Sequence, residues 1–277
     1  LEFYFLSNGD VTNNLSSYYG YVSLNYYSGY WEFYTDATVD TIAQGEEEVV
    51  TFTCFVSDGT YITSDNIKIT IEGENDFPEL TVDSAISSNE DILRVTGDIL
   101  VEDLDSSSIV LSLILVSVNH GTITLNSFED DNFSVSFNTL WIYEFVTASM
   151  NYLSSGNVLY ESFIVNVEDE EGSSVTTSVV ITIEGVNDAP TVTSVNYVTF
   201  IGGEAEIDFD GADVDSSSFT YYLEADPNYG SAEVSGSILV YTSDDSVTGH
   251  VLINYYRSDG YLDSGFAQLS INVLSNS

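Results

Sequence analysis

The chain alternates short apolar runs with polar turns from one end to the other. Runs such as "IVLSLILVSV" (109–118), "ESFIVNVED" (161–169) and "SVVITIEG" (178–185) are rich in Val, Ile, Thr and Phe, and Gly, Asn, Asp and Ser separate them. Short β-branched and aromatic runs bounded by turn residues are typical of β-strands, and no stretch shows a convincing helical period. The pattern therefore predicts an all-β protein.

Several sequence features recur in the same order. "ITIEGENDFPEL" (69–80) returns as "ITIEGVNDAPTV" (181–192), and the acidic loop "EDLDSSS" (102–108) returns as "ADVDSSS" (212–218). An aromatic residue or His precedes Gly20, Gly121 and Gly230, which lie 101 and 109 residues apart. This period is the size of one immunoglobulin-like antiparallel β-sandwich. We predict three tandem units: unit one (1–76), unit two (77–188) and unit three (189–277).

Unit one is predicted to lack its first strands. Its opening run "LEFYFLS" corresponds to the strands that follow the acidic loops of the other two units. The missing strands belong either to a longer polypeptide or to another chain. In the second case, strand exchange between identical chains would give a head-to-tail polymer, because an uncovered sheet edge pairs readily with a foreign strand.

Composition excludes several classes of partner. The chain has 45 acidic and 3 basic residues, a formal charge of -42, yet 43% of it is hydrophobic. Such a chain can build a core, and its self-repulsion must be relieved by salt or bound cations. It is a poor ligand for nucleic acid or anionic lipid. No apolar run reaches the roughly 20 residues that span a bilayer, so no membrane insertion is expected.

Specific motifs resemble known bacterial repeats. Unit one resembles the VCBS repeat through Tyr19-Gly20, Gly29-x-Trp31, Gly45-Glu46, Ser57-Asp58-Gly59 and Asn75-Asp76-x-Pro78. Units two and three are similar to bacterial cadherin-like repeats, through their Asp-x-Asp loops and, in unit three, Ser258-Asp259-Gly260. The resemblance implies tandem Ig-like or cadherin-like sandwiches of a large surface adhesin of the RTX type, extracellular and stiffened by calcium. Unit two departs from it with "EDEEG", and unit three with its ending "INVLSNS".

The acidic motifs are predicted to meet at the two unit boundaries. In an antiparallel sandwich, the loop after the second strand and the turn before the last strand lie at the pole where the unit begins. Oxygen ligands from two units would then converge on each boundary, which suits Ca²⁺ with its 6 to 8 oxygens. The candidate ligands are Glu72, Asn75, Asp76, Asp103, Asp105 and Asp169 at the first boundary, and Glu184, Asn187, Asp188, Asp213, Asp215 and Asp259 at the second.

Three further residues bear on these boundaries. Glu90 is a possible addition to the second site, whereas Glu204 is expected to be solvated. Arg257 stands where units one and two have Val56 and Val167. Either its stem packs and its head pairs with an acid, or its charge partly replaces a cation at the second boundary.

The sequence points away from catalysis. His120 and His250 lie in different units, and no nucleophile, phosphate loop or zinc motif accompanies them. The leading hypothesis is a non-enzymatic extracellular module, a stalk of a bacterial surface adhesin or a filament body, whose partners are neighbouring repeats of the same or an identical chain. The alternative is an adhesion module that binds glycans or a surface receptor through exposed Tyr and Trp and acidic loops. Asn14-Leu15-Ser16 and Asn132-Phe133-Ser134 match a weak glycan-acceptor pattern.

Overall fold

A computed structural model describes residues 1–126 and 136–276. Almost every regular element is a β-strand; within these ranges the only helical turns are two short 3₁₀ segments, Ala37–Thr41 and Thr147–Ser149. The predicted all-β fold is confirmed, with multiple antiparallel sheets arranged as Ig-like sandwiches. The predicted glycan-acceptor motif at Asn132 lies outside the described residues.

Unit one is a two-sheet sandwich. Its strands are β1 (Glu2–Ser7), β2 (Asp10–Thr12), β3 (Asn14–Ser17), β4 (Gly20–Leu24), β5 (Trp31–Thr35), β6 (Glu47–Ser57) and β7 (Ile62–Glu72). One sheet has the order β2-β1-β6-β7 and the other β3-β4-β5. Phe5, Val22, Leu24 and Phe52 form the buried centre between them.

Unit two has a fuller set of strands. They are β8 (Glu79–Val82), β9 (Ala85–Asn89), β10 (Arg94–Glu102), β11 (Ile109–Ser117), β12 (Gly121–Leu125), β13 (Ser136–Phe145), β14 (Val158–Asp169) and β15 (Ser174–Glu184). The sheets run β12-β13-β10-β8 and β11-β14-β15-β9, and β9 lies parallel to β15. The alternating pattern of β14 puts Phe163, Val165 and Val167 fully inside.

Unit two buries a tryptophan at its centre. Trp141 is fully buried, contacts Phe163 edge to face and donates its indole N–H to the carbonyl of Asp83 at 3.2 Å. Gly97 makes room for it, since a Cβ there would lie 2.5 Å from the indole ring. The buried ring thus has its one polar atom satisfied, as a stable core requires.

Unit three repeats this plan. Its strands are β16 (Val195–Phe200), β17 (Glu204–Asp208), β18 (Thr220–Leu223), β19 (Ser231–Ser235), β20 (Ile238–Thr242), β21 (Gly249–Ser258) and β22 (Ala267–Leu274). The sheets run β16-β22-β21-β18 and β17-β20-β19, and β16 lies parallel to β22. Tyr241, Tyr255 and Ile271 are among the residues of its core.

The strand orders show which strands of units two and three have no described counterpart in unit one. β1 pairs with β6 as β11 pairs with β14 and β18 with β21, so "LEFYFLS" occupies the place that the sequence predicted. No described strand covers the outer edge of β5, where β10 covers β13 and β17 covers β20. No described strand covers the outer edge of β7 either, where β9 and β16 lie in the other units. Whether a neighbouring chain fills these edges stays a prediction.

Candidate functional site

The path of each linker is fixed by a glycine. Gly73 and Gly185 follow the last strands of units one and two, and each donates its N–H to a carbonyl of its own unit, Glu46 at 2.9 Å and Asn157 at 2.8 Å. A Cβ on Gly73 would lie 2.2 Å from the carbonyl oxygen of Ala43, and one on Gly185 would lie 2.4 Å from that of Ser154. The glycine of the repeated Glu-Gly therefore lets the chain pass close to the backbone of its own unit as it enters the linker.

Replacing Gly185 by Ala is expected to destabilise unit two by about 1–3 kcal/mol, because the added methyl collides with backbone that cannot rotate away. Gly265 is the matched control: it has an ordinary backbone conformation, and nothing lies within 4 Å of the Cβ that alanine would add. Chemical denaturation of the two variants measures the difference. Equal stabilities for Gly185→Ala and Gly265→Ala would contradict the close approach.

The first junction (Asn75, Asp76, Asp103, Asp105 and Asp169) joins units one and two. The Asn75 amide Nδ2 donates to Asp169 Oδ2 at 2.8 Å, and the Asp76 backbone N–H donates to Asp105 Oδ2 at 3.1 Å. Asp103 Oδ1 in turn accepts the N–H groups of Asp105 and Ser106, at 3.3 and 3.2 Å. The linker of one unit is thus held by the carboxylates of the next.

The second junction (Asn187, Asp188, Asp213, Asp215 and Asp259) repeats these contacts. Asn187 Nδ2 donates to Asp259 Oδ2 at 2.8 Å, and the Asp188 N–H donates to Asp215 Oδ2 at 3.3 Å. Asp213 Oδ1 accepts the N–H groups of Asp215 and Ser216. The second junction therefore repeats both contacts of the first, one through the Asn side chain and one through the Asp backbone N–H.

Both junctions bury carboxylate oxygens that have no hydrogen-bond partner. At the first they are Asp103 Oδ2 and Asp105 Oδ1, beside the amide oxygen of Asn75; at the second they are Asp188 Oδ2, Asp213 Oδ2, Asp215 Oδ1 and Glu90 Oε2. Asp103 is only 2% exposed. A buried polar atom without a partner is costly and calls for an explanation such as an ion. A hard cation fits this donor set of oxygens.

The electrostatics point the same way. Burial raises the pKa of the Asp105 carboxyl from 3.8 to about 6, and the nearby charges of Asp103 and Asp76 add to the effect. Burial likewise raises the pKa values of Asp188 and Asp215. These carboxylates are therefore poorly compensated, and positive charge at either junction would favour their ionised form.

The four glutamates named in the sequence analysis differ in burial. Glu90 is buried beside the second junction, where its Oε1 accepts the Val186 N–H at 2.7 Å. Burial raises its pKa, and Asp188, Asp91 and Asp215 add to the shift. Glu72 and Glu184, by contrast, are exposed, and no hydrogen bond joins their side chains to the junction residues. Glu204 is exposed, as expected.

Arg257 does not pair with an acid. It is 2% exposed, its guanidinium carbon lies 3.9 Å from the centroid of the Phe219 ring, and Nε and Nη2 have no hydrogen-bond partner. Among the described residues the one ion pair is between His120 and Glu161. The predicted partner acid is therefore wrong, because the side chain turns onto the aromatic ring instead, where a cation–π contact holds it.

Sequence reasoning missed a polar cluster inside unit two. His120 Nδ1 lies 2.7 Å from Glu161 Oε1, the Asn119 N–H donates to Glu161 Oε2 at 2.8 Å, and Glu161 is fully buried. Only the strand pairing brings together residues 41 positions apart, so no local motif marks the pair. The hydrogen bonds from its neighbours satisfy both oxygens of the buried Glu161 side chain.

The junctions are not compact metal clusters as they stand. In the described part of the chain, no three Asp, Glu, His or Cys side chains are gathered closely enough to hold a metal ion. At the first junction the amide Nδ2 of Asn75 faces Asp169, so an ion would have to draw the oxygens inward.

Residues 1–126 and 136–276 also contain no helix that is long and apolar enough to cross a membrane.

The fold and its repeated junctions define a tandem Ig-like β-sandwich protein. No protein-family model and no curated protein matches the sequence. Among solved structures, the chain is similar to the insect immune protein hemolin (12% identity, 82% of this chain and 56% of hemolin, TM-score 0.31) and to immunoglobulin domains 1–5 of Sidekick-1 (14%, 99% and 52%, 0.26). It is also similar to the eight N-terminal Ig domains of DSCAM (11%, 99% and 50%, 0.24), so it spans about half of each.

Proposed function

We propose that the chain is a non-enzymatic structural module of an extracellular stalk or filament on a bacterial surface, in which Ca²⁺ locks each junction. The observation that carries this proposal is the repeated set of buried carboxylate oxygens without partners, Asp103 and Asp105 at the first junction and Asp213 and Asp215 at the second. Each set lies between two units, so an ion bound there would fix one unit against the next.

Charge supports the same function. With 45 acidic and only 3 basic residues, the chain cannot neutralise the carboxylates of its junctions internally. Its one buried arginine, Arg257, places its guanidinium over the ring of Phe219. Extracellular fluid is rich in Ca²⁺, and oxygen-only sites in extracellular modules bind it at about 10⁻⁴–10⁻³ M. Asn75, Asp76, Asp103, Asp105 and Asp169 would hold the first ion. Asn187, Asp188, Asp213, Asp215 and Asp259 would hold the second, joined by Glu90.

Solution scattering tests the proposal. With Ca²⁺ the particle is expected to show one well-defined maximum dimension, whereas chelator should broaden the distance distribution, because repelling carboxylates then loosen both hinges. Sodium at the same ionic strength should restore little, since screening supplies no ligand geometry. Scattering curves that coincide with Ca²⁺ and with chelator, together with no heat of calcium binding in calorimetry, would refute the calcium-locked junction.

A further inference from the structure

The outer face of the β3-β4-β5 sheet of unit one carries two ordered rows of side chains. The strand register aligns Ser16, Tyr21 and Tyr34 in one row, and Asn14, Ser23 and Glu32 in the next. Tyr21 and Tyr34 stack with ring centroids 4.9 Å apart and planes inclined by 17°, and each is 43% exposed. An aromatic row therefore lies directly beside a polar row, and both face solvent.

One carboxylate organises the aromatic side chains. Glu32 Oε2 accepts the hydroxyl of Tyr34 at 2.8 Å, and Oε1 accepts that of Tyr30 at 3.1 Å. The hydrogen bond with Glu32 is also the main reason that the pKa values of Tyr30 and Tyr34 are raised, so both hydroxyls stay donors. Each carboxylate oxygen keeps a lone pair free for a ligand.

A depression adjoins this face. Its volume is about 410 Å³, and its wall includes Ser23, Asn25, Tyr27, Tyr30 and Glu32. That size is within the range of small-molecule sites, roughly 300–1,000 Å³. Its lining is mostly hydroxyl, amide and carboxylate groups set beside aromatic rings, which is the chemistry that pairs with the hydroxyl groups and the C–H face of a sugar ring.

The other two units show that the fold does not require these tyrosines. The hairpins of the three units can be aligned on one glycine each: Gly20, Gly121 and Gly230. At each of these positions, an added Cβ would collide with a carbonyl oxygen of the neighbouring strand. Counted from these glycines, the places of Tyr21 and Tyr34 are taken by Thr122 and Glu144 in unit two, and by Ser231 and Thr242 in unit three. An exposed aromatic surface that the scaffold can do without indicates binding.

We propose that this face of unit one, built on Tyr21, Tyr30, Glu32 and Tyr34, binds a neutral oligosaccharide. The charge of -42 repels acidic glycans, and no Lys or Arg lines the depression to attract phosphate or sulfate. A sugar ring stacks on the tyrosines, and its hydroxyl groups donate to Glu32 and exchange hydrogen bonds with Ser23 and Asn25. The site shares no residue with either junction, so it adds recognition to a structural role.

Saturation-transfer NMR on the whole chain tests this with four probes at millimolar concentration: N,N′,N″-triacetylchitotriose, cellotriose, maltotriose and mannotriose. At least one is expected to bind. The double variant Tyr21→Ser, Tyr34→Thr, which installs the residues of unit three, should weaken that binding at least about tenfold, and Glu32→Gln should weaken it less. The control variant Tyr61→Ser, Tyr160→Thr removes two tyrosines elsewhere that are even more exposed, at 78% and 61%, and should bind as the wild type does.

Melting curves of the variants show that each still folds, since all the replaced side chains are exposed. Three results would overturn the proposal: no binding of any of the four probes, undiminished binding by the Tyr21→Ser, Tyr34→Thr variant, or equal loss in the control variant. Capture of a basic protein on this face without binding of any probe would also overturn it, in favour of a protein partner.

Discussion

The variant in which both Asp103 and Asp105 are replaced by Asn is expected to be at least as stable as the wild type without Ca²⁺ and less stable than the wild type with it. In chelator, the variant should melt at or above the wild-type temperature, because it removes two buried carboxylate charges. The amide oxygen at position 103 can still accept the N–H groups of residues 105 and 106, and that at position 105 the N–H of Asp76. In Ca²⁺ at about a hundred times its Kd, binding raises the free energy of unfolding of the wild type by about 2.7 kcal/mol. The variant does not gain this stabilisation. For a domain of this size that is roughly 10–20 °C in Tm.

Two comparisons make the result specific. Asp213→Asn, Asp215→Asn should show the same reversal at the second junction, whereas Asp98→Asn, Glu168→Gln removes two exposed acids of unit two and should shift both curves in parallel. Differential scanning calorimetry resolves the transitions. If Ca²⁺ raises the Tm of the Asp103→Asn, Asp105→Asn variant as much as that of the wild type, these carboxylates do not hold the ion.

Lowering the pH from 7 to 5 is expected to weaken calcium binding at the first junction about tenfold, because a proton competes for Asp105, whose pKa burial raises to about 6. For the calcium-free protein, lowering the pH has the opposite effect, because it increases the contribution of Asp105 to folding stability. A carboxyl whose pKa is higher in the folded state than in the unfolded state stabilises the fold below its unfolded value, 3.8, and loses that contribution as the pH rises through about 6. Without calcium, the contribution of Asp105 thus fades towards neutral pH.

The comparison with Asp105→Asn isolates this group from the other titrating acids. Asp36 and Asp58, whose hydrogen bonds with Thr38 and with the Thr60 and Tyr61 N–H groups lower their pKa values, act in the opposite direction in both proteins and cancel. In chelator, the wild type should therefore lose Tm relative to Asp105→Asn between pH 4 and 7. Melting temperatures that stay a constant distance apart over this range would show that Asp105 is not perturbed.

Local sequence patterns were enough to predict most of the fold and the positions of the junction residues. The alternation of apolar residues and the spacing of repeated turns are properties of single strands, so they predicted the sandwiches and the place of "LEFYFLS" correctly. The convergence of Asn75, Asp105 and Asp169 also followed, because antiparallel topology decides which loops share a pole. That prediction concerned position alone; the occupancy of the site by calcium remains a proposal.

What the sequence could not supply depends on side-chain direction and on distant strand pairing. Glu72 and Glu184 belong to the repeated motif, yet they are exposed at the ends of their strands. A carboxylate partner was one of the two expectations for Arg257, but its guanidinium lies over the aromatic ring of Phe219 instead. The His120–Glu161 pair arises from two strands that meet only in the folded unit. For Arg257 and for His120, the deciding contact lies far away along the chain.

The parallel pairing of the last strand with a strand near the start of the unit has a mechanical consequence. In unit two, β9 and β15 run side by side over five residue pairs, from Val180–Ala85 to Glu184–Asn89, and in unit three β16 and β22 do so over six. Tension applied through the two ends of such a unit pulls these strands past each other, so the bonds between them bear the load together in shear and do not open one after another. In unit one no described strand lies beside β7, so the described residues supply no such load-bearing pair there.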